Sequence, residues 1–369
     1  MQYESNRIKI KIIGVGGAGT NMINLLSNEE INDVELFVAN TDYQDLNKCS
    51  CPNKIFLGGA TKGFGAGGDP KVGRECALDS IEDIKEALKN TDVLIVAAGL
   101  GGGTGTGAAP VICEEAKKMG ILVISYVTIP FETIEGKART NIALDGLMSI
   151  EKYSNSYMVL SNETLVQKYS KFPFYEALRI SNITLKNTIK VIRDIVFETE
   201  YINLDFNDLK QVLNNGNKIG VVSGVGNGQN RAEQAVVNAF NNNLFLYDIK
   251  NTNNIIINLR CDKTTTYEEI AIAKNKIDEI INIQDDSKLF FGIQYLDSSH
   301  RDKLFEINVV AANLNSLDEN SKITVLENRI LSNLEAEKTN SINFIRKSNN
   351  KDIESNDEVP DLYLPRNNE

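Results

Sequence analysis

The run Gly101-Gly102-Gly103-Thr104-Gly105-Thr106-Gly107 follows directly on the apolar stretch Val93-Leu94-Ile95-Val96-Ala97-Ala98, a strand candidate. With so few Cβ atoms, the backbone N–H groups can close on an anion without side-chain interference. Ala108-Ala109-Pro110-Val111-Ile112 then reads as the opening of a helix, whose N-terminal dipole favours negative charge at the same spot. A purely structural turn does not call for that many glycines. The run reads as a phosphate cradle.

A second cradle lies near the N-terminus. The strand candidate Ile8–Ile13 leads into Gly14-Val15-Gly16-Gly17-Ala18-Gly19 and then the helix-like Asn21-Met22-Ile23-Asn24-Leu25-Leu26. This is G-x-G-x-x-G in its strand–turn–helix setting, with Asp42 about twenty residues further on, where a dinucleotide fold places its ribose-binding acid. An ordinary dinucleotide unit needs one such turn, and two argue for a polyphosphate gripped along its length. Neither turn carries G-K-[ST], and neither holds a lysine or arginine. Phosphate charge must then be met by amides, helix ends and a bound Mg²⁺.

At 369 residues the chain has room for two domains with separate cores and a tail. No apolar run approaches the roughly 20 residues of a membrane span, and no signal-peptide core opens the chain, so a cytoplasmic protein without membrane insertion is expected. The odd count of five cysteines fits that compartment. Cys49-Ser50-Cys51 lacks metal-site spacing, and Cys76, Cys113 and Cys261 read as small core residues. A net charge of −11 argues against nucleic acid and acidic lipid as partners. The single histidine, His300, sits in Asp297-Ser298-Ser299-His300-Arg301-Asp302, a turn candidate, so any chemistry falls to carboxylates, metal and backbone.

Up to residue 173 strand and helix alternate, with strands expected at Ile8–Ile13, Val34–Ala39, Val93–Ala98, Ile121–Val127 and Tyr157–Leu160. Near-continuous apolar strands between helices predict a parallel α/β sheet covered on both faces, a Rossmann-like nucleotide-binding domain over 1–173. One unbroken helical pattern follows over 174–201, with Ile189, Ile192 and Val196 at helical spacing. A smaller α/β domain is expected over 202–313, with strands Ile219–Val225, Ile255–Leu259, Leu289–Tyr295 and Leu304–Ala311 and helices Ala232–Asn241 and Tyr267–Ile281. Residues 314–356 shift to Asn, Ser, Glu and Lys and read as a disordered linker, with a hint of amphipathic helix over 322–335. A peptide with a compact apolar cluster closes the chain over 357–369.

The run Gly101–Gly107 after its apolar strand closely resembles the nucleotide-binding motif of the FtsZ family, bacterial relatives of tubulin. The resemblance extends, in order, to Gly16-Gly17-Ala18-Gly19-Thr20-Asn21, Asn40-Thr41-Asp42, Thr61-Lys62-Gly63-Phe64-Gly65-Ala66-Gly67, Phe131-Glu132-Thr133-Ile134-Glu135-Gly136-Lys137-Ala138-Arg139 and Asn203-Leu204-Asp205-Phe206-Asn207-Asp208. It covers residues 8 to 312. It implies a tubulin/FtsZ-like fold and a GTP/GDP site with Mg²⁺ on the phosphates. Gly17, Ala18, Gly19, Thr20 and Asn21 would hold the α/β-phosphates, and Thr104, Gly105 and Thr106 the β/γ end. Gly16, Asn40, Asp42, Gly101, Gly102, Gly103 and Gly107 would complete the GTP site. Glu135 would meet the ribose, Arg139 the base side and Asn182 the guanine, whose edge an amide can match as donor and acceptor. Without the motif context, Glu135 and Arg139 read as a solvated i,i+4 pair.

Two positions depart from the family pattern. Leu178 stands where a phenylalanine packs on the purine, and Ile183 stands where an acid or amide is usual. Leucine covers less of a purine face and does not stack. Weaker nucleotide affinity or relaxed base choice is therefore expected, and a competition titration showing tight, strongly GTP-over-ATP binding would refute it.

Asp205 and Asp208, beside Asn203 and Asn207, have a plain reading as an N-cap and a first-turn acid. The length of the preceding helix adds a second one. About 20 helical residues span roughly 30 Å, so if Asn182 touches guanine, Asp205 cannot reach the γ-phosphate of the same molecule. It can reach the nucleotide of the next subunit in a head-to-tail stack, and such a non-closing contact builds a filament. Asn203, Asp205 and Asp208 are the catalytic candidates, orienting water rather than acting as strong bases.

The resulting expectation is a GTP-hydrolysing, self-polymerising cytoskeletal protein of the bacterial division ring, acting at midcell. Val359-Pro360-Asp361-Leu362-Tyr363-Leu364 resembles the peptide by which the family attaches to membrane-tethering division proteins. Two alternatives stay open: a filament protein that binds GTP with weak or no hydrolysis, and an NAD-dependent oxidoreductase using Gly14–Gly19 and Asp42. The oxidoreductase reading leaves Gly101–Gly107, Asp205 and Asp208 without a role.

Overall fold

A computed structural model describes residues 7–27, 31–197, 202, 204–214, 217–241, 245, 249, 252, 254–281, 287–296 and 304–314. The chain divides into a compact unit, Met1–Ser316, and a second, Leu317–Glu369. Asn203, His300, the 322–335 segment and the apolar tail peptide fall outside the described residues.

The first half of the compact unit runs β1 (Ile10–Val15), α1 (Gly16–Leu26), β2 (Val34–Asn40), α2 (Tyr43–Lys48), β3 (Asn53–Phe56), α3 (Pro70–Asp79), α4 (Ile81–Leu88), β4 (Val93–Gly99) and α5 (Thr104–Lys118). It continues through β5 (Leu122–Ile129), α6 (Glu132–Glu135), α7 (Lys137–Tyr153), β6 (Ser156–Ser161), α8 (Asn162–Lys168) and the 24-residue α9 (Phe174–Phe197). Then come α10 (Phe206–Leu213), β7 (Asn217–Lys218), β8 (Gly220–Gly226), α11 (Arg231–Asn241), β9 (Asn254–Cys261), α12 (Tyr267–Ile280), β10 (Lys288–Tyr295) and β11 (Phe305–Ala312).

Seven strands form one sheet in the order β3-β2-β1-β4-β5-β6-β7, every pair parallel. Its central strands are buried on both faces; all eight residues of β5 are buried, which is why they read as unbroken apolar runs. The order reverses between β1 and β4. The crevice beyond the carboxyl ends of those two strands is therefore the switch point at which such sheets hold ligands. Strand ends differ from the sequence reading by one or two residues. Short β3 and β7, and the helices α2 and α8, carry too little periodicity to announce themselves. β7 comes from beyond the long helix yet completes the first sheet, pairing with Ser156 and Tyr157, so the segment after α9 does not serve the second sheet alone.

α9 buries Leu185, Ile189, Val191, Ile192 and Ile195. Its start is fixed to the first sheet where Tyr126 Oη, fully buried on β5, donates to Ser181 O at 2.7 Å. Burial pushes that phenol above its usual pKa, so it stays a donor. The second sheet has the order β10-β9-β11-β8, with β10 and β9 parallel and the remaining pairs antiparallel. It meets α9 through a buried ion cluster. Arg260 Nη1 lies 3.3 Å from Asp194 Oδ2 and 2.9 Å from Glu306 Oε2, and Lys190 approaches Glu306 at 3.1 Å. Removing one partner would strand a buried charge, which costs far more than the intact cluster contributes.

All five cysteines are buried and free. Cys49 and Cys51 thus join the core alongside the three expected there. Among the described residues no helix is long and apolar enough to cross a membrane.

Candidate functional site

Both glycine runs leave carboxyl ends of adjacent strands, β1 and β4, at the switch point. Both are also more helical than the sequence indicates. α1 begins at Gly16, not near Asn21, and α5 begins at Thr104, not at Ala108. Pro110 lies within the early part of α5. Most of each glycine run is therefore the first helical turn itself, with its unpaired N–H groups at the crevice.

The glycines have two different physical reasons. Gly16 takes φ +71°, which a side chain would strain. A Cβ on Gly105 would sit 2.3 Å from Gly99 O, and one on Gly107 would sit 2.0 Å from Pro70 O. These two let backbones touch: α5 against the end of β4 and against α3. Gly17 and Gly102 differ, because their hypothetical Cβ atoms meet only Asp45 Oδ2 at 3.6 Å and Arg139 Nη2 at 3.8 Å. In the second run only Gly102 and Thr104 reach the surface, while Gly101, Gly103, Gly105, Thr106 and Gly107 are buried. In the first, Gly17, Ala18 and Asn21 are exposed and Gly16, Gly19 and Thr20 are not. The cradle that a Cβ would fill is thus formed at Gly17 and Gly102, and the other glycines shape it from behind.

Three further segments converge here. Gly101 N donates to Thr106 Oγ1 at 2.9 Å, locking the second turn. From the end of β2, Thr41 Oγ1 lies 2.6 Å from Thr104 Oγ1, and Asn40 Nδ2 donates to Thr20 Oγ1 at 3.4 Å. Asp42 caps α2, accepting from Gln44 N and Asp45 N. One of its oxygens is thereby committed to the backbone, so its local role is structural.

Glu135 and Arg139 find each other. Arg139 Nη1 is 2.5 Å from Glu135 Oε2, Glu135 Oε1 accepts from Phe131 N, and Arg139 Nε donates to Gly101 O. Their side chains are 27% and 50% exposed, so the pair is worth about 1 kcal/mol or less, and either partner can be drawn away by a ligand. The rings of Phe131 and Phe174 stand 5.3 Å apart and bring the start of α9 to this edge, with Leu178 and Asn182 half-buried along it. Ile183 is 43% exposed and lines a groove of about 250 Å³ with Tyr169, Val221, Val222 and Phe245. It opens toward the second sheet.

Asp205 and Asp208 form a reciprocal capping box on α10. Asp205 Oδ1 accepts from Asn207 N at 2.7 Å and Asp208 N at 2.9 Å, and Asp208 Oδ2 accepts from Asp205 N at 2.9 Å. The plain reading of these acids is therefore correct as far as it goes. The other oxygen of each carboxylate makes no hydrogen bond among the described residues. α10 is pinned at the amino edge of the first sheet, where Ser156 Oγ donates to Leu213 O at 2.6 Å and Asn155 Nδ2 to Asn214 Oδ1 at 2.9 Å. The C-terminal end of α10 thus sits at the edge opposite the glycine turns, and the acids cap the other end of the same helix.

Thr41 is the residue that sequence reasoning left out. Its motif was visible, but nothing in the letters says that its hydroxyl meets Thr104 across 63 positions.

The layout is that of a doubly wound α/β protein suited to hold a polyphosphate by backbone rather than by a P-loop lysine. Residues 9–170 match the GTPase domain of the Tubulin/FtsZ family. The cell division protein FtsZ of Mycoplasmopsis pulmonis is 35% identical over 351 residues, 95% of this chain and 88% of that protein. FtsZ 1 of Methanocaldococcus jannaschii is 36% identical over 280 residues, 74% of this chain and 77% of its own. Among solved structures, an empty FtsZ dimer from M. jannaschii superposes with a TM-score of 0.74 at 32% identity, covering 84% of this chain and 89% of that one. A GTPγS-bound protofilament of CetZ2 from Haloferax volcanii shares the fold, with a TM-score of 0.73 at 17% identity. The chain belongs to the tubulin/FtsZ family of GTPases, on the branch of the FtsZ cell division proteins.

Proposed function

We propose that the chain binds GTP at its two glycine turns, assembles head to tail into a division filament, and hydrolyses the nucleotide with acids supplied by the neighbouring subunit. What supports this is separation along the sheet: the glycine turns leave the carboxyl ends of β1 and β4, while α10, which the acids cap, has its last residues bonded at the amino end of β6. β6 alone separates those ends by about 20 Å at some 3.3 Å per residue. From Asn182 to the end of α9 the helix climbs about 22 Å. A carboxylate reaches only a few ångströms. Stacking one copy on the next brings the capping-box end of one over the glycine turns of the other, and that contact repeats without closing.

In this reading the N–H groups of Gly17, Ala18 and Gly102, with the N-termini of α1 and α5, hold the phosphates and meet the charge that builds during transfer. Asn182 reads the base edge. Glu135 and Arg139 exchange their mutual contact for ribose and base-side contacts. Mg²⁺ supplies further neutralisation of the phosphates. Among the described residues no cluster of three or more His, Cys, Asp or Glu could hold a metal ion; an ion bound here would be held with the nucleotide phosphates. The unengaged oxygens of Asp205 and Asp208 orient the attacking water, and the sequence motif adds Asn203 as a third candidate. Attachment to a membrane-tethering protein through Val359–Leu364, and a midcell location, rest on the tail sequence and the family.

The test is phosphate release measured across protein concentrations. Specific activity should rise from near zero as filaments form, and a value that stays flat on dilution into monomer would overturn the shared centre. The capping-box bonds favour one second reading, a filament with slow turnover, because they hold half of each carboxylate away from water. Phosphate release under assembling conditions decides between the two.

A further inference from the structure

The end of β2 touches both glycine turns, and its geometry fixes the direction of a hydrogen bond. Thr41 has no exposed surface, and its Oγ1 lies 2.6 Å from Oγ1 of Thr104, the first residue of α5. Two hydroxyls at that distance share one hydrogen between them, and either could give it. Burial decides which one does. Thr41 Oγ1 has no other partner among the described residues. Were Thr104 the donor, the Thr41 hydroxyl would be left buried without an acceptor, the costly state for a polar group. Thr104 carries no such constraint, since it is half-buried and lies on the crevice side beside Gly102.

The backbone of Thr41 is held firmly enough for this to matter. Its carbonyl accepts from Gly65 N at 3.2 Å and from Thr61 Oγ1 at 3.5 Å. One residue earlier the pattern repeats more loosely. Asn40 is 2% exposed; its Oδ1 accepts from Asp42 N at 3.2 Å, leaving Nδ2 to donate to Thr20 Oγ1. The end of β2 thus lends a donor to a threonine in each turn.

We propose that Thr41 is a positioning residue: it donates to Thr104 and so turns the Thr104 O–H outward, as a donor aimed at the terminal phosphate. A hydroxyl that already accepts one bond is also a stronger donor of its own, because chained hydrogen bonds polarise one another. The inference rests on the reading that the N-terminus of α5 receives the terminal phosphate. It adds to that reading a residue that never touches the nucleotide.

The experiment measures binding of GTPγS and of GDP to the full chain, below its assembly concentration. Thr41→Val keeps the shape and removes the donor. It should weaken GTPγS about tenfold and GDP less than about twofold, as expected for one charge-directed hydrogen bond. Thr41→Ser restores the donor and should bind both within about twofold of the parent chain. The double variant Thr41→Val/Thr104→Val should be no weaker than Thr104→Val alone, since Thr41 acts only through Thr104. Melting without nucleotide checks that the variants fold. If Thr41→Val does not, Thr41→Cys, a weaker donor of similar size, should bind GTPγS more weakly than the serine variant, by up to about tenfold relative to the parent. Parent-like GTPγS binding by Thr41→Val or Thr41→Cys, a serine variant no better than valine, or losses that add in the double variant would each overturn the proposal. Failure of the parent chain to bind GTPγS would instead overturn the site reading on which it rests.

Discussion

Asp208→Asn and Asp205→Asn are expected to release phosphate about 10²- to 10³-fold more slowly than the parent chain, the range seen when one preorganised group is removed from a transfer centre. Both should still bind GTP and sediment as filaments to within about twofold of the parent, since neither acid belongs to the glycine turns that hold the nucleotide. The amide substitutions are chosen because both acids also have structural work on α10. Asp205 accepts from Asn207 N and Asp208 N, and Asp208 returns a bond to Asp205 N. Asparagine caps a helix about as well as aspartate, so these variants remove charge while keeping the box. Asp208→Ala removes both, and should add a stability loss of about 1 kcal/mol to the loss of turnover. Comparing the two substitutions separates cap from chemistry. If the asparagine variants hydrolyse GTP at the parent rate, these acids are caps and nothing more. If they lose filament formation along with turnover, the acids act in the contact itself and not on water.

What the sequence made legible was whatever depends on runs of like residues. The buried strands β1, β4 and β5 announce themselves because both their faces are covered, and α9 because 24 residues keep one apolar stripe. β3 and β7, of four and two residues, have no pattern to read. They exist because a neighbouring edge offers unpaired backbone groups, and that information is tertiary. The same divide runs through the site. Glycine density marked the two turns and the crevice between them, but the letters treat all glycines alike. Only the fold separates Gly105 and Gly107, pressed against Gly99 and Pro70, from Gly17 and Gly102 at the surface. Phosphate binding does not account for all of them: close packing of α5 on α3 and β4 itself needs several of these glycines. Likewise Glu135–Arg139 and Asp205–Asp208 were each open to a structural and a functional reading. The structure realises the structural contacts in both pairs, an ion pair and a capping box, without closing off the functional ones.

That division among glycines yields the other large effect, a pair of substitutions alike on paper and opposite in outcome. Gly107→Ala places a methyl 2.0 Å from Pro70 O and 2.6 Å from Arg74 N. Both are backbone atoms, so no side chain can rotate away, and α3 must separate from α5. Overpacking of this kind costs about 3 kcal/mol or more, and the variant should unfold at clearly lower denaturant whether or not nucleotide is present. Gly105→Ala meets Gly99 O at 2.3 Å and should behave the same way. Gly102→Ala meets nothing closer than Arg139 Nη2 at 3.8 Å. Its stability without nucleotide should stay within about 0.5 kcal/mol of the parent. Its methyl, however, fills the space through which the N–H groups approach a phosphate, and GTP affinity should fall by about tenfold to a hundredfold. Gly17→Ala, facing only Asp45 Oδ2, should follow Gly102→Ala. Denaturant unfolding without nucleotide and a binding titration for each variant make the comparison. A stable Gly107→Ala would mean that the α3–α5 contact yields more easily than its geometry implies. A Gly102→Ala that binds GTP as tightly as the parent would mean that the phosphates do not lie over that turn, and the cradle at the switch point would have to be reassigned.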